Sequence, residues 1–454
     1  MTRILVGGIG PLPWERSRMS WGPGIRAWQV CASLADEGHE VSLLALADPL
    51  HYGPGELAAE DSRDSVRIHR LDPGSFFDPR RIEDCCRSWD IEAVVGATLL
   101  GSFALAQSRP DVPFWADQFG QAMAEAQALS SRQGDNRAVA QGWKHVHPVL
   151  SIADRISVVS RRQRLAVVGE LGAVGRLTGE TCGYEFVDVM PCAVYPDQSQ
   201  SVVARRTSRA EKDDFVVLWA GSYNVWSDVE TLVEGLEVAM RDSPRLRFIS
   251  IGGGIEGYHV STYSRLRELV AASEFSKRFQ LEGWVEQRRL ADFLARADLG
   301  IVAEHSGYEG ELGSKNRVVE WMGCGLPVLS SPVGDLGEYL SAGSRGLVFE
   351  PGDAAELARQ VLWAIENRDS LSRIAEDARK SVYEEFSLER TTSGLRSWAA
   401  EPTRAPDWTE VSWRQSPMRY WDWRQRLAVH SQRMTRIRES STLRSIWRRL
   451  TSER

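Results

Sequence analysis

Short apolar runs alternate along this chain with longer segments whose apolar residues recur at helical spacing. Arg3–Gly8 (RILVGG), Glu40–Ala45, Val66–Leu71, Ala93–Gly96, Pro113–Asp117 (PFWAD), Arg155–Ser160 and Val187–Pro191 read as strands. Between the first two, Ile25–Glu37 gathers Ile25, Trp28, Val30, Cys31 and Leu34 on one helical face, and Gly38 ends it. Gln121–Ser131 and Arg161–Leu171 read as further helices. A polar connection follows, Tyr195 to Asp213, and the rhythm then restarts with the apolar strand Phe215–Ala220 (FVVLWA). The helix Asp228–Met240 and the strand Arg247–Ile251 come next, and helices over 353–366 and 369–385 close this half. Strands alternating with helices, twice over, predict an α/β protein of two Rossmann-like domains facing a central cleft.

The stretch Leu299–Leu329 concentrates the candidate chemistry. It opens as an apolar strand (LGIV) and becomes a polar loop holding Glu304, His305, Glu309, Glu311 and Lys315. After Gly313-Ser314 the spacing turns helical, and Pro327-Val328-Leu329 opens another strand. Ligands of such sheets sit at the carboxyl ends of strands, beside helix N-termini. Lys315 and Arg317 can meet an anion there, and Glu320 can accept hydrogen bonds from a diol such as ribose. A capped surface helix with scattered charges gives the same pattern. Three glycines after a strand, Gly252-Gly253-Gly254, permit close approach of backbone to a ligand, or make a flexible turn. Near the start, Gly22 and Gly24 with Arg26 offer a second backbone approach, although their spacing does not fit a dinucleotide fingerprint. Asp117 stands where a strand gives way to a loop, the position of a functional carboxylate or of a helix N-cap. His145 and His147 flank a valine with no third metal ligand in sight.

Composition narrows the class. At 454 residues the chain needs more than one ordinary core. A net charge of -7 argues against a nucleic-acid partner. Six dispersed cysteines without metal-ligand spacing look like reduced thiols of a cytoplasm. The charge is uneven: residues 401–454 hold twelve Arg against six Asp and Glu, with Trp408, Trp413 and Trp423 among them. Such a basic, Trp-rich helical tail lies on an anionic membrane surface or packs against protein. The expected division is an N-terminal domain 1–195, a linker 196–213, a C-terminal domain 214–385, a closing helix 386–400 and the tail 401–454.

The motifs add a family. Gly24–Leu44 (GIRAWQVCASLADEGHEVSLL), the triple glycine, LEGWV (281–285), ARADLGI (295–301) and EWMGCGLPVLSS (320–331) resemble, in that order, a GT-B glycosyltransferase of the family-4 kind. The resemblance covers roughly residues 1–400 and implies a nucleotide-sugar donor bound by the C-terminal domain. It also implies an acceptor on the N-terminal side, which a glycan, a lipid-linked glycan or a small molecule would supply, and no cofactor or metal. Glu320 matches the second glutamate of the family's EX7E motif and is implied to bind ribose. The first falls on Leu312, so Glu309 or Glu311 takes its place through a small insertion. The Arg and Lys that clamp the diphosphate in the family correspond here to Ser222 and Ser227. Lys315, Arg317, the backbone N–H groups around Gly221, Gly253 and Gly254, and Arg26 are the candidate substitutes. Asp117 is the candidate to orient the acceptor or act as base. A nucleotide-sugar epimerase and a non-catalytic partner subunit are the competing readings.

Overall fold

The computed structural model describes residues 1–15, 22–52, 59–194, 196–207, 214–256 and 258–408. The tail beyond 408, where the basic amphipathic helices were expected, lies outside the described residues.

Two sheets form the frame. The first contains β1 (Arg3–Ile9), β2 (Glu40–Leu46), β3 (Glu60–Arg63), β4 (Val66–Leu71), β5 (Ala93–Gly96), β6 (Phe114–Gln118), β7 (Arg155–Val158) and β8 (Val187–Val189). Their order is β3-β4-β2-β1-β5-β6-β7-β8, and only the β3–β4 pair is antiparallel. The second contains β9 (Phe215–Ala220), β10 (Leu246–Ile251), β11 (Phe279–Gly283), β12 (Leu299–Val302), β13 (Val328–Ser330) and β14 (Leu347–Val348), in the order β11-β10-β9-β12-β13-β14, all parallel. Parallel strands are covered on both faces by their crossover helices, which is why β1, β5 and β9 are apolar almost throughout rather than alternating. In each sheet the order reverses beside a first strand: β1 lies between β2 and β5, and β9 between β10 and β12. The crevices outside the carboxyl ends of these strands are where such sheets take ligands.

Two segments depart from expectation. The polar run taken for a linker holds a helix, Pro196–Thr207. Its Val202 enters the C-terminal core beside Val216, Leu218 and Phe293. Arg206 donates to the carbonyls of Leu294 and Ala297 (3.0 and 2.6 Å). The segment reads as polar because much of its docking is polar: Ser199 is buried, and Arg205 pairs with Asp292. The closing helix lies on the N-terminal domain: Leu395, Trp398 and Ala399 of the helix Ser393–Ala400 share a core with Ile4, Val30 and Trp115. The chain therefore crosses back after the second sheet. Beyond it, Arg176 holds Asp407 through two hydrogen bonds (2.8 and 2.7 Å), and Asp154 accepts from the Ala405 N–H (2.8 Å).

Candidate functional site

The carboxyl ends of both sheets open into one cavity of about 720 Å³ between the domains. On the C-terminal side the loop after β9 is zippered to the loop after β12. Asp228 N–H donates to the Ala303 carbonyl and His305 N–H to that of Trp226. Glu304, two residues past β12, is thereby held in the cavity wall with its side chain almost fully covered. The polar loop expected after β12 holds a short helix, Tyr308–Leu312, which brings Glu309 to the same wall. Lys315, just before the helix Asn316–Gly323, reaches both acids: Nζ lies 2.9 Å from Glu304 and 3.1 Å from Glu309. Burial works against the Lys315 charge, but the two carboxylates overcome it and hold the ammonium above its ordinary range. Burial raises Glu309, and Lys315 opposes that rise.

Arg317, two residues further, lies over the Trp219 ring (5.0 Å) and donates from Nη2 to the Ser222 carbonyl (3.3 Å). Its guanidinium sits 3.0 Å from where a Cβ of Gly221 would stand. The cation thus occupies the side of the β9 loop that carries Ser222. Its Nη1 is inaccessible and has no hydrogen-bond partner among the described residues. A buried, unfilled guanidinium donor is costly unless an anion meets it. Glu320 also lines the cavity, and burial alone pushes its carboxyl up to about 7.

Several expected residues fall elsewhere. Asp117 and Arg26 are fully buried and do not line the cavity. Arg26 donates to both Asp117 oxygens (3.0 and 2.9 Å) and to the carbonyls of Met190 and Pro191 (2.7 and 3.0 Å). Asp117 further accepts from the Ser157 hydroxyl (2.7 Å) and the Thr98 N–H (3.3 Å). With every lone pair engaged by its own domain, Asp117 is a positioning residue, and Arg26 is not available to a substrate anion. Gly24 packs against Pro11, whose carbonyl would stand 1.8 Å from a Cβ. Gly22 does line the cavity, facing Asn316 across the cleft. Of the triple glycine it is Gly252 that borders the cavity; Gly253 faces Trp284 and Gly254 packs on Val260. Glu311 is exposed and outside the cavity, which leaves Glu309 for the place of the first family glutamate. Ser222 borders the cavity, whereas the Ser227 hydroxyl, buried, accepts from the Asn224 N–H (3.1 Å). His145 and His147 do not act as a pair: His145 reaches the cavity beside Gln141, and His147 packs against Ser151.

The acid the sequence left aside is Glu125. It faces the cavity from the helix Ala122–Gln133 and has no hydrogen-bond partner among the described residues; burial pushes its carboxyl up to about 8, with Glu309 adding to the rise. Thr98 also borders the cavity with φ of +68° and a buried hydroxyl without a partner among the described residues. Its position directly after the apolar strand β5 was the available signal. Among the described residues, ligand atoms of Asp228, Glu230 and His305 come within 4.8 Å of one another. This cluster is outside the cavity, and Asp228 is engaged in capping Thr231.

Two parallel-sheet domains with a ligand crevice between their switch points define a GT-B fold, and solved structures agree. Sucrose-phosphate synthase from Thermosynechococcus elongatus aligns with a TM-score of 0.67 at 16% identity, over 88% of this chain and 99% of that one. An Anabaena protein in complex with UDP and glucose aligns with a TM-score of 0.63 at 15% identity, over 88% and 100%. Residues 214–367 match the family model Glycosyl transferases group 1, which bears out the resemblance read from the motifs. The chain is 30% identical over 108 residues to N-acetyl-alpha-D-glucosaminyl L-malate synthase of Bacillus anthracis, 24% of this chain and 27% of that protein. It is 26% identical over 253 residues to D-inositol 3-phosphate glycosyltransferase of Geodermatophilus obscurus, 54% and 52%. It thus spans between a quarter and about half of the length of these two curated relatives. No helix among the described residues is long and apolar enough to cross a membrane.

Proposed function

We propose that the protein is a glycosyltransferase that moves a sugar from a nucleotide-sugar donor to an acceptor hydroxyl, with retention of configuration and without a metal ion. The observation that carries this reading is Arg317, which lines the cavity beside the β9 loop and donates to the Ser222 carbonyl. A diphosphate in the cavity, which Arg317 lines, is the anion its guanidinium would meet. Lys315, two residues before it, is held by Glu304 and Glu309, so Arg317 and the backbone N–H groups of the β9 loop supply the stabilisation that a divalent ion would otherwise bring. Arg317 stands in, from a different element, for the pair that the family places at the positions of Ser222 and Ser227. Gly221 and Gly252 keep side chains clear of the donor's path, and Glu320 accepts from the ribose hydroxyls. Glu309 faces the sugar.

In the reaction the bond from the anomeric carbon to the diphosphate breaks, and the acceptor oxygen bonds to that carbon on the same face. The acceptor proton passes to a departing phosphate oxygen. Arg317 stabilises the negative charge that develops there, which is the largest contribution such a fixed cation makes. The Anabaena structure holds UDP and glucose, which supports a uridine diphosphate sugar as the first donor to test. The relatives' names, an N-acetyl-alpha-D-glucosaminyl L-malate synthase and a D-inositol 3-phosphate glycosyltransferase, support bacterial glycoconjugate synthesis as the setting. The unpaired cysteines support a cytoplasmic location.

The test is a thermal-shift titration of the full chain with UDP, GDP, CDP, ADP and dTDP, in the presence of EDTA. One nucleotide raises the melting temperature, because it binds the folded state alone. Arg317→Ala, checked for folding by circular dichroism, removes the shift and lowers transfer by about 10²–10³-fold, the cost of one preorganised donor. No shift with any nucleotide, or a shift unchanged in Arg317→Ala, overturns the reading.

A further inference from the structure

The cavity has two unlike halves, and the donor groups above occupy only one. The N-terminal half is walled by the segment after β5, by the helix Ala122–Gln133 and by the facing helix Arg137–Ile152. Its surface is apolar: Ile25, Leu99, Leu100, Ala126 and Leu129 line it, and Gly142 lets the two helices approach closely, since a Cβ there would stand 3.2 Å from that of Ala126. The polar groups there are few: the Thr98 hydroxyl, Gln141, His145 and Glu125. Among the described residues no Lys or Arg lines this half; Lys315 and Arg317 both belong to the other. Burial lowers the pKa of His145 and raises that of Glu125 to about 8, so at neutral pH both are held in their uncharged forms.

We propose that the acceptor is an uncharged molecule with a mainly apolar body and a hydroxyl directed at the donor sugar, not a sugar phosphate or a carboxylic acid. This rests on the glycosyltransferase reading and specifies the substrate class of that site. An anion taken into this half would lose its hydration without meeting a cation, a penalty of several kcal/mol. An apolar body gains by covering Leu99, Leu100 and Leu129. The acceptor hydroxyl finds its partners at the boundary between the halves, where Thr98 has a free hydroxyl and where Glu125 feels both Glu309 and Lys315. Gln141 and His145 take a second polar group at the far end, hydrogen-bonded to each other when nothing else is present (2.8 Å).

The experiment is isothermal titration of the full chain, with the nucleotide identified by thermal shift bound, against 2-naphthol and against inositol 3-phosphate. 2-Naphthol binds and inositol 3-phosphate does not. Leu129→Trp narrows the half and weakens 2-naphthol binding by about tenfold or more, the scale of discrimination by an apolar pocket. Leu100→Gln, a milder change, weakens it less. Both variants keep the nucleotide shift, which shows that the fold and the donor half are intact. Inositol 3-phosphate binding tighter than 2-naphthol, or 2-naphthol binding that neither substitution alters, overturns the proposal. A missing nucleotide shift in the unsubstituted protein counts instead against the donor site, so the two failures are separable.

Discussion

Glu125 and Glu320 are carboxyls at the cavity wall, and burial pushes them up to about 8 and about 7. In the unfolded chain each releases its proton near 4.5. Between that pH and its raised folded value the folded state holds the extra proton, so stability falls as pH rises through this window. For Glu125 the loss is complete only above about 8. Glu125→Gln removes its share, and the melting temperature of the nucleotide-free variant drops less than that of the parent between pH 5.5 and 8. An unchanged slope would show that the Glu125 carboxyl is not perturbed. Asp117 illustrates the opposite case. Its place at a strand end is legible in the sequence, but whether a carboxylate there faces substrate or its own domain depends on Arg26 and Ser157, distant in the chain.

At the scale of elements, the loops after β9 and β10 shape the donor side. Gly252 has φ of +113°, and a Cβ there would lie 2.0 Å from the Gly221 carbonyl oxygen. Gly252→Ala therefore costs more than the ~1 kcal/mol typical of a tolerated backbone change, with the β9 and β10 loops forced apart. Urea unfolding measures the cost, and the same variant loses the nucleotide shift; an unchanged midpoint would show that the two loops can relax. The short helix Tyr308–Leu312 is the element the sequence hid. Five residues carry too little periodicity to reveal a helix. Its register nevertheless decides that Glu309 enters the cavity and Glu311 points away.

Across the whole molecule, the two domains meet directly and the chain returns to its start. The Ser160 hydroxyl donates to the Leu312 carbonyl (2.6 Å) and the Arg161 N–H to Asp335 (2.6 Å), while Arg162 pairs with Glu338. After the helix Ser393–Ala400, residues 401–408 are fastened to the N-terminal domain through Arg176–Asp407 and Asp154–Ala405. A chain ending after residue 408 keeps both contacts. Ending it after 400 strips Arg176 and Asp154 of partners and costs ~3 kcal/mol or more, as for buried charges left unpaired. Denaturant midpoints of the two truncations decide this, and equal midpoints would show that the clasp contributes nothing.

The sequence by itself determined the two-sheet architecture, because strand and helix periodicity are local and each domain repeats them. It also determined the stretch that bears Glu309, Lys315, Arg317 and Glu320, because an apolar strand followed by charged residues before a helix marks a strand's carboxyl end. Tertiary structure alone decided which cation stands beside the β9 loop, since Arg317 and Ser222 are 95 positions apart. It alone decided that the Pro196–Thr207 segment packs as a helix, since two adjacent valines in a polar run are no periodic signal. And it alone separated a cation-bearing half of the cavity from an apolar one. Each half is assembled from strand ends and helices scattered through the chain, and only folding brings their charges, or their lack of charge, to one place.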